Sequence, residues 1–294
     1  MVAQIVGNYL VERGIVTRGQ MLIIQKERKK VRARLGLVAI SEGYMTQDEV
    51  NQIYAEMDEV SDRLFAEIAE ERAYLTGGQI RMLAHKQNES FLCFAQALEN
   101  QKLIDFESLN KVMHEFPIVN NEFQLDDLKS NDINRILPLF IPQEADEYVE
   151  AALCAVKFLE QKVDSNIYPV KAYLANALAA TNGIFQFAKG EKEYAFALVA
   201  KDKEMTTLAT CYMHERHDRI DEELLDIISE IVNKISSSYA AEISQDGVLV
   251  DLSPPQSYTE MKEVKADNML VVELTVKYEI FYLLVCMSAN IEII

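Results

Sequence analysis

Large apolar residues return four times in the same order along the first third of the chain. The segments VGNYLVERGIVT (6–17), LGLVAISEGYMT (35–46), FAEIAEERAYLT (65–76) and FAQALENQKLID (94–105) align without gaps, at offsets of 29, 30 and 29 residues. Each opens on an apolar residue followed by Gly7, Gly36, Ala66 or Ala95, and each closes on an apolar residue followed by Thr17, Thr46, Thr76 or Asp105. Four residues further on stands another apolar side chain: Met21, Val50, Ile80 or Leu109. The pattern predicts a helix, a short turn and a second helix, with the Thr or Asp oxygen capping the first amides of that second helix. Gly14 and Gly43 sit where the first helix should stop, and the Gly/Ala position marks a close approach of helices. A period near 30 residues predicts units that bury their faces against one another.

Beyond Leu109 the periodicity dissolves. The stretch FPIVNNEFQLDDLKSNDINRILPLFIPQ, with Pro117, Pro138 and Pro142, reads as a linker or closing helix and places a domain boundary near residue 140. From Gln143 a helix, EADEYVEAALCAVKFLEQKV, precedes three strand-like runs, YPVKAYLANAL, GIFQFAKG and EYAFALVA, with a turn at Lys189 and Gly190. A helix around 204–214, a long helix, the strand GVLVDLSPP and a closing pair, MLVVELTV and EIFYLLVCM, follow. The expected fold class is therefore α+β: an all-helical repeat domain over 1–140, then an α+β domain with a mostly antiparallel sheet over 141–294.

The long helix contains DIISEIVNKISSSYAAEI (226–243), where Ile227, Ile228, Ile231, Val232 and Ile235 form a stripe to be buried. At about 100° per residue, Asp226, Glu230, Asn233 and Ser237 fall within about 60° of one another on the opposite side. That surface offers a carboxylate and an amide one turn apart. An amide is no base, but it can hold a water in line with an electrophile. A carboxylate that ionises near pH 4, roughly, suits pairing with a cation better than taking a proton at neutral pH.

Composition narrows the field. With 294 residues, 49% of them hydrophobic, and only 10 Gly and 6 Pro, the chain can build two cores and is not disordered. MVAQIVGNYLVERG lacks a charged leader before a long apolar core, and the longest strongly apolar run, IFYLLVCM, is too short to span a bilayer. A soluble cytoplasmic protein without a membrane partner is expected. A net charge of −18 argues against nucleic acid as the main partner. The charge is uneven, with 16 basic against 21 acidic residues up to residue 140 and 13 against 26 beyond it. One basic run, KERKKVRAR (26–34), places six cations and one anion in nine residues and reads as a solvated helix face. Cys93, Cys154, Cys211 and Cys286 are scattered singletons in apolar stretches, which reads as free, buried thiols. His214 and His217 have the spacing of a helical metal pair, but no Cys or third His is near, and a helix C-terminus favours positive side chains; no metal site is expected. Neither Gly-x-x-x-x-Gly-Lys-[Ser/Thr] nor Gly-x-Ser-x-Gly occurs.

The repeats resemble the N-terminal helical domains of type II secretion and type IV pilus ATPases, the MshEN-like or GspE-N-like domains. The likeness is clearest at RARLGLVAISEGYMTQDEV, where Arg34, Leu35, Gly36 and Gly43 reproduce that family's Arg-Leu-Gly start and later Gly. Ile5, Leu64 and Cys93 replace the arginine in the other copies. Some members bind cyclic di-GMP, so the resemblance implies a nucleotide contact through Arg34, Leu35 and Gly36. The competing reading is a structural or partner-docking repeat.

The block DEELLDIISEIVNKISSSYAAEISQDGVLVDLSPPQSY is similar to the signature of the CheC, CheX and FliY chemotaxis phosphatases. That signature is an acidic or Ser position, three residues, Glu, two residues, Asn, then a helix, a strand and a proline; here the positions are Asp226, Glu230, Asn233 and Pro255. The elements over 141–294 follow in the CheX order. The resemblance implies an aspartyl-phosphate phosphatase, a hydrolase with one site, acting on a phosphorylated CheY-like receiver domain in chemotaxis or related two-component signalling. Asn233 would position the hydrolytic water and Glu230 would anchor to the receiver's lysine, with Asp226 and Ser237 as partner contacts. This chain would bind no cofactor, the Mg²⁺ being supplied by the receiver, and a homodimer through sheet edges is implied. Ser237, Ser238 and Tyr239 stand where members carry Gly, Asn and a small residue, so Tyr239 is expected to add bulk to the docking face. The alternatives are an adaptor that keeps this surface without activity, and a cyclic di-GMP-responsive signalling protein acting through the repeats.

Overall fold

Thr17, Thr46, Thr76 and Asp105 each open a helix. Their side-chain oxygens accept from the backbone N–H three residues on, at 3.2 Å (Gln20), 3.3 Å (Glu49), 3.3 Å (Gln79) and 2.7 Å (Ser108). In the three threonine copies the Gln or Glu at that position returns a bond to the cap's own N–H, which closes a capping box. The computed structural model describes residues 1–59, 64–119, 125–288 and 290–294. The chain divides into two units, Val2–Pro117 and Ile118–Ile294 with Met1. The first unit is built of paired helices: α1 (Val2–Glu12) with α2 (Arg18–Glu27), α3 (Leu35–Ser41) with α4 (Gln47–Glu59), α5 (Phe65–Glu71) with α6 (Gly77–Lys86), and α7 (Ser90–Asn100) with α8 (Phe106–Met113).

The first helix of every pair stops at the same place. Gly14, Gly43, Ala73 and Lys102 occupy equivalent positions and have positive φ of 70°, 71°, 56° and 54°. Ala73 and Lys102 take up this left-handed geometry with a Cβ, at a cost of about 1–2 kcal/mol each, so the turn is imposed by the packing of the repeat and not by glycine. The small-residue position has the expected role: a Cβ on Gly36 would stand 2.7 Å from Val50 Cγ1, and one on Gly7 would stand 2.7 Å from Met21 Sδ. Val50 and Met21 are the apolar residues four past the caps, so that contact closes the first two pairs. α7 is buried throughout Phe91 to Leu98 and packs on α1, α2, α3 and α8, which makes it the centre of the unit.

The basic run is not a helix face. α2 ends at Glu27, and residues 28–34 connect it to α3. Arg28 Nη1 donates to Ser90 Oγ at 3.2 Å, Arg32 Nη2 to the Ala84 carbonyl at 3.1 Å, and Ala33 N to the Gln87 carbonyl at 2.9 Å. Two arginine side chains and one backbone N–H thus strap the stretch across α6 and the start of α7.

Residues 118–140, expected as a linker or as the close of the first half, cluster with the second unit. The physical reason is burial. Leu128 on α9 (Leu125–Lys129), Ile133 and Ile136 on α10 (Ile133–Ile136), and Leu137, Leu139 and Phe140 are buried, and α10 packs on α11 (Val149–Lys162). The strands and remaining helices are β1 (Tyr168–Ala179), β2 (Asn182–Gly190), β3 (Tyr194–Ala200), α12 (Asp202–Met213), α13 (Glu222–Ser244), β4 (Val250–Leu252), β5 (Gln256–Tyr258), β6 (Glu263–Val276), β7 (Glu279–Cys286) and β8 (Ile291–Ile293). They form one antiparallel sheet in the order β1-β6-β7-β3-β2-β4, with β5 on β2 and β8 on β6. The fold class is α+β.

Both faces of the sheet are buried at its centre. α13 lies on β2 and β3, and α12 on β3 and β7. On the other face Phe185, Ala195, Ala197, Val199, Val271 and Leu284 cluster with Met261 and Val264. The β1–β6 ladder bends toward that face where its register changes from Ala175↔Met269 to Ala177↔Lys265, a bulge that inserts extra β6 residues. The run GVLVDLSPP is not one strand. β4 pairs Leu252 with Ala188 and β5 pairs Gln256 with Phe185, but Pro254 and Pro255 between them have no N–H to give, so the ladder breaks opposite Gln186 and Phe187. The four cysteines are free, and burial pushes the Cys154 and Cys286 thiols up to about 12. No helix among the described residues is long and apolar enough to cross a membrane.

Two stability tests follow from the repeats. Ala73→Gly should stabilise the protein by about 1 kcal/mol in urea unfolding and Gly43→Ala should destabilise it by a similar amount, since each changes only the fit to a left-handed turn. Asp105 is the cap that titrates: its bond from the Ser108 N–H holds its carboxyl below the usual range. A lowered folded pKa means that its contribution is complete above the ordinary Asp value of about 3.9 and fades as pH falls through the folded value. Thermal midpoints taken between pH 6 and pH 3, roughly, should therefore fall less steeply in Asp105→Asn than in the unaltered chain.

Candidate functional site

α13 starts at Asp221, whose Oδ1 accepts from the Leu224 N–H at 3.1 Å, with Glu222 and Glu223 in the first turn where the helix dipole favours acids. Ile227, Ile228, Ile231, Val232 and Ile235 are all buried, as their spacing requires. Tyr239, expected to add bulk on the opposite stripe, continues this buried face instead. It is 1% exposed, with its ring edge-on to Tyr194 at 5.0 Å and to Phe196 at 5.7 Å. Lys192 Nζ donates to its hydroxyl at 2.9 Å, which satisfies the polar end. At about 100° per residue, position 239 falls on the isoleucine side of the helix, and aromatic packing holds it there.

The opposite stripe faces solvent. Asp226, Glu230 and Ser237 are exposed and Asn233 is half-buried. Two of the four are held by neighbouring elements. Tyr212 on α12 donates its hydroxyl to Glu230 Oε1 at 3.2 Å. Burial, and then the Glu230 carboxylate, push the Tyr212 hydroxyl above its ordinary value, so it remains a donor. On the other side, Gln186 Nε2 on β2 donates to Asn233 Oδ1 at 2.8 Å and to the Ser253 carbonyl at 2.8 Å. Ser253 is itself tied to β2, its N–H donating to the Phe187 carbonyl at 2.8 Å and its Oγ accepting from the Phe187 N–H at 3.2 Å. Pro255 lies in the ladder break beside these residues. Asp226 and Ser237 flank the pair along the stripe and make no side-chain hydrogen bond among the described residues.

The chemistry available is that of a tethered carboxylate beside an oriented amide, with no imidazole or thiol among them. Glu230 keeps lone pairs for a cation, and Asn233 keeps its Nδ2 hydrogens and one Oδ1 lone pair. The pattern of the helix indicated Glu230 and Asn233 but not Tyr212, Gln186 or Ser253. Gln186 did leave a signal: it is the polar residue in the apolar run GIFQFA, between Phe185 and Phe187.

The other sequence-derived candidates lie elsewhere. A cleft of about 700 Å³ at the ends of α11 and α12 is lined by Glu160, Asp164, Cys211, His214, Arg216 and Lys277, and shares no residue with the stripe. His214 ends α12 at a positive φ of 58° and His217 lies past the helix, so the two do not share a helical face. In the first unit, Arg34 is exposed, its guanidinium 5.8 Å from the centre of the Tyr54 ring and its N–H donating to Gln96 Oε1 at 2.9 Å. Leu35 is half-buried, and the space beside Gly36 is filled by Val50 and Tyr54. The glycine of that motif is thus taken up by helix packing.

No protein-family model matches the chain, and no curated protein does. Among solved structures it is similar to a CheC-like superfamily protein from Shewanella sp. PV-4 at 15% identity and TM-score 0.43, over 50% of this chain and 98% of that one. It is similar to the chemotaxis protein CheX from Vibrio vulnificus at 13% identity and TM-score 0.42, over 50% of this chain and 99% of that one. It is also similar to a chain of the CheX-CheY-BeF3-Mg complex from Borrelia burgdorferi at 15% identity and TM-score 0.40, over 50% of this chain and 97% of that one. These likenesses fall on the C-terminal half of the chain.

Proposed function

We propose that the second unit hydrolyses aspartyl phosphate on a CheY-like receiver domain through Glu230 and Asn233. The observation that carries this reading is their placement, side by side on the solvent face of α13, with Tyr239 turned into the core and the small Ser237 next along the stripe. A receiver can approach such a face closely. In this reading Glu230 pairs with a cationic side chain of the receiver and so sets the register of docking. Asn233 then reaches the phosphoryl group and holds a water opposite the aspartyl oxygen. Attack by that water forms the new P–O bond and breaks the bond to the aspartate, releasing inorganic phosphate and the free carboxylate. The receiver supplies the Mg²⁺ that offsets charge on the phosphoryl oxygens, and the chain contributes position only. Asp226, at the N-terminal end of the stripe, is a further partner contact.

The test is the decay of phosphorylated receiver domains with Mg²⁺, with and without the full chain. Acceleration by the unaltered chain is expected, with a loss of about a hundredfold in Asn233→Ala while binding persists, because the amide acts after docking. Glu230→Ala should instead weaken binding. Binding without any acceleration across a panel of receivers would identify an adaptor and end the phosphatase reading.

A further inference from the structure

Gln186 is 1% exposed on a strand whose neighbours Ile184, Phe185 and Ala188 are buried and apolar. An amide nitrogen in such a place must find acceptors for its two hydrogens. Here one acceptor is the Ser253 carbonyl and the other is Asn233 Oδ1. The Ser253 carbonyl can only accept, so it fixes the nitrogen end of Gln186 toward itself. That same nitrogen meets Asn233, which therefore presents its oxygen inward and its Nδ2 outward. Gln186 Oε1 is buried and accepts no hydrogen bond among the described residues. A buried acceptor left without a donor is a feature that packing alone would select against.

We infer that Gln186 is a positioning residue that sets the polarity of Asn233, so that the Nδ2 hydrogens face the incoming water or phosphoryl oxygen. The inference rests on the phosphatase reading. Its origin is the proline pair: with Pro254 and Pro255 unable to continue the ladder, Gln186 lies opposite the gap and its side chain takes the Ser253 carbonyl. Turning Asn233 end for end would set two oxygen acceptors, Oδ1 and a phosphoryl oxygen, against each other.

Two measurements on the full chain separate this inference from the reading beneath it. With a receiver that the unaltered chain dephosphorylates, Gln186→Leu and Gln186→Met, which come close in size but cannot donate, should lower kcat about tenfold or more. KM and affinity for a beryllium-fluoride-charged receiver should stay unchanged while kcat falls, an outcome that a purely structural residue would not give. Unchanged kcat in both variants overturns the inference and leaves the phosphatase reading standing. Side-chain amide exchange by NMR reports the geometry without a partner. Slow exchange of the Gln186 Nε2 hydrogens, made faster in Asn233→Ala, is expected; exchange as fast as that of exposed glutamines overturns the inference. If no receiver is dephosphorylated, the phosphatase reading fails, and the amide exchange still decides whether Gln186 orients Asn233.

Discussion

Ile228, Ile231, Val232 and Ile235 leave water only when α13 turns that face to β2 and β3, and this burial fixes the rotation of the helix about its own axis. Each such side chain is worth roughly 1.5–3 kcal/mol of transfer free energy, so turning the helix by even one position would cost more than any surface contact could return. Tyr239 adds a directional element, since its ring fits edge-on against Tyr194 and Phe196 in a single orientation. The solvent stripe is the complement of what is buried. Glu230 and Asn233 stand together outside because the isoleucines stand together inside.

Rotation alone places side chains on a face and does not aim them. Aiming comes from the elements on either side: Tyr212 on α12 holds the carboxylate, and β2 with the ladder break holds the amide. Both supports lie on the same sheet face as α13, and the bulged β1–β6 ladder closes the other face with a second apolar cluster. The arrangement therefore sits on a sheet buried on both sides at its centre.

Local features were legible in the sequence, and long-range ones were not. The repeat and its four caps could be read because a capping oxygen and its amide are three residues apart. The α13 stripe could be read because helical spacing is local too. Tyr239 reads as a surface residue only from the resemblance at positions 237–239, whereas the helical wheel puts it on the buried side. Residues 118–140 looked like a linker because of prolines and polar residues, yet Leu128, Ile133, Ile136, Leu137, Leu139 and Phe140 supply enough apolar surface to join the second core. Gln186 could be seen as odd but not assigned. Its partners lie 47 and 67 residues away, and only the packing of α13 on β2 brings them together.

The proline pair has a second effect, on how copies of the chain can meet. β4 and β5 form an outer margin of the sheet, where unpaired backbone donors would invite a strand from another molecule. Successive N–H groups on a strand point to opposite sides, so Pro254 and Pro255 remove one donor from the inner ladder and one from the outward rim. A foreign strand therefore cannot zip along this margin without a gap in its hydrogen bonds. Open-ended stacking through it is discouraged.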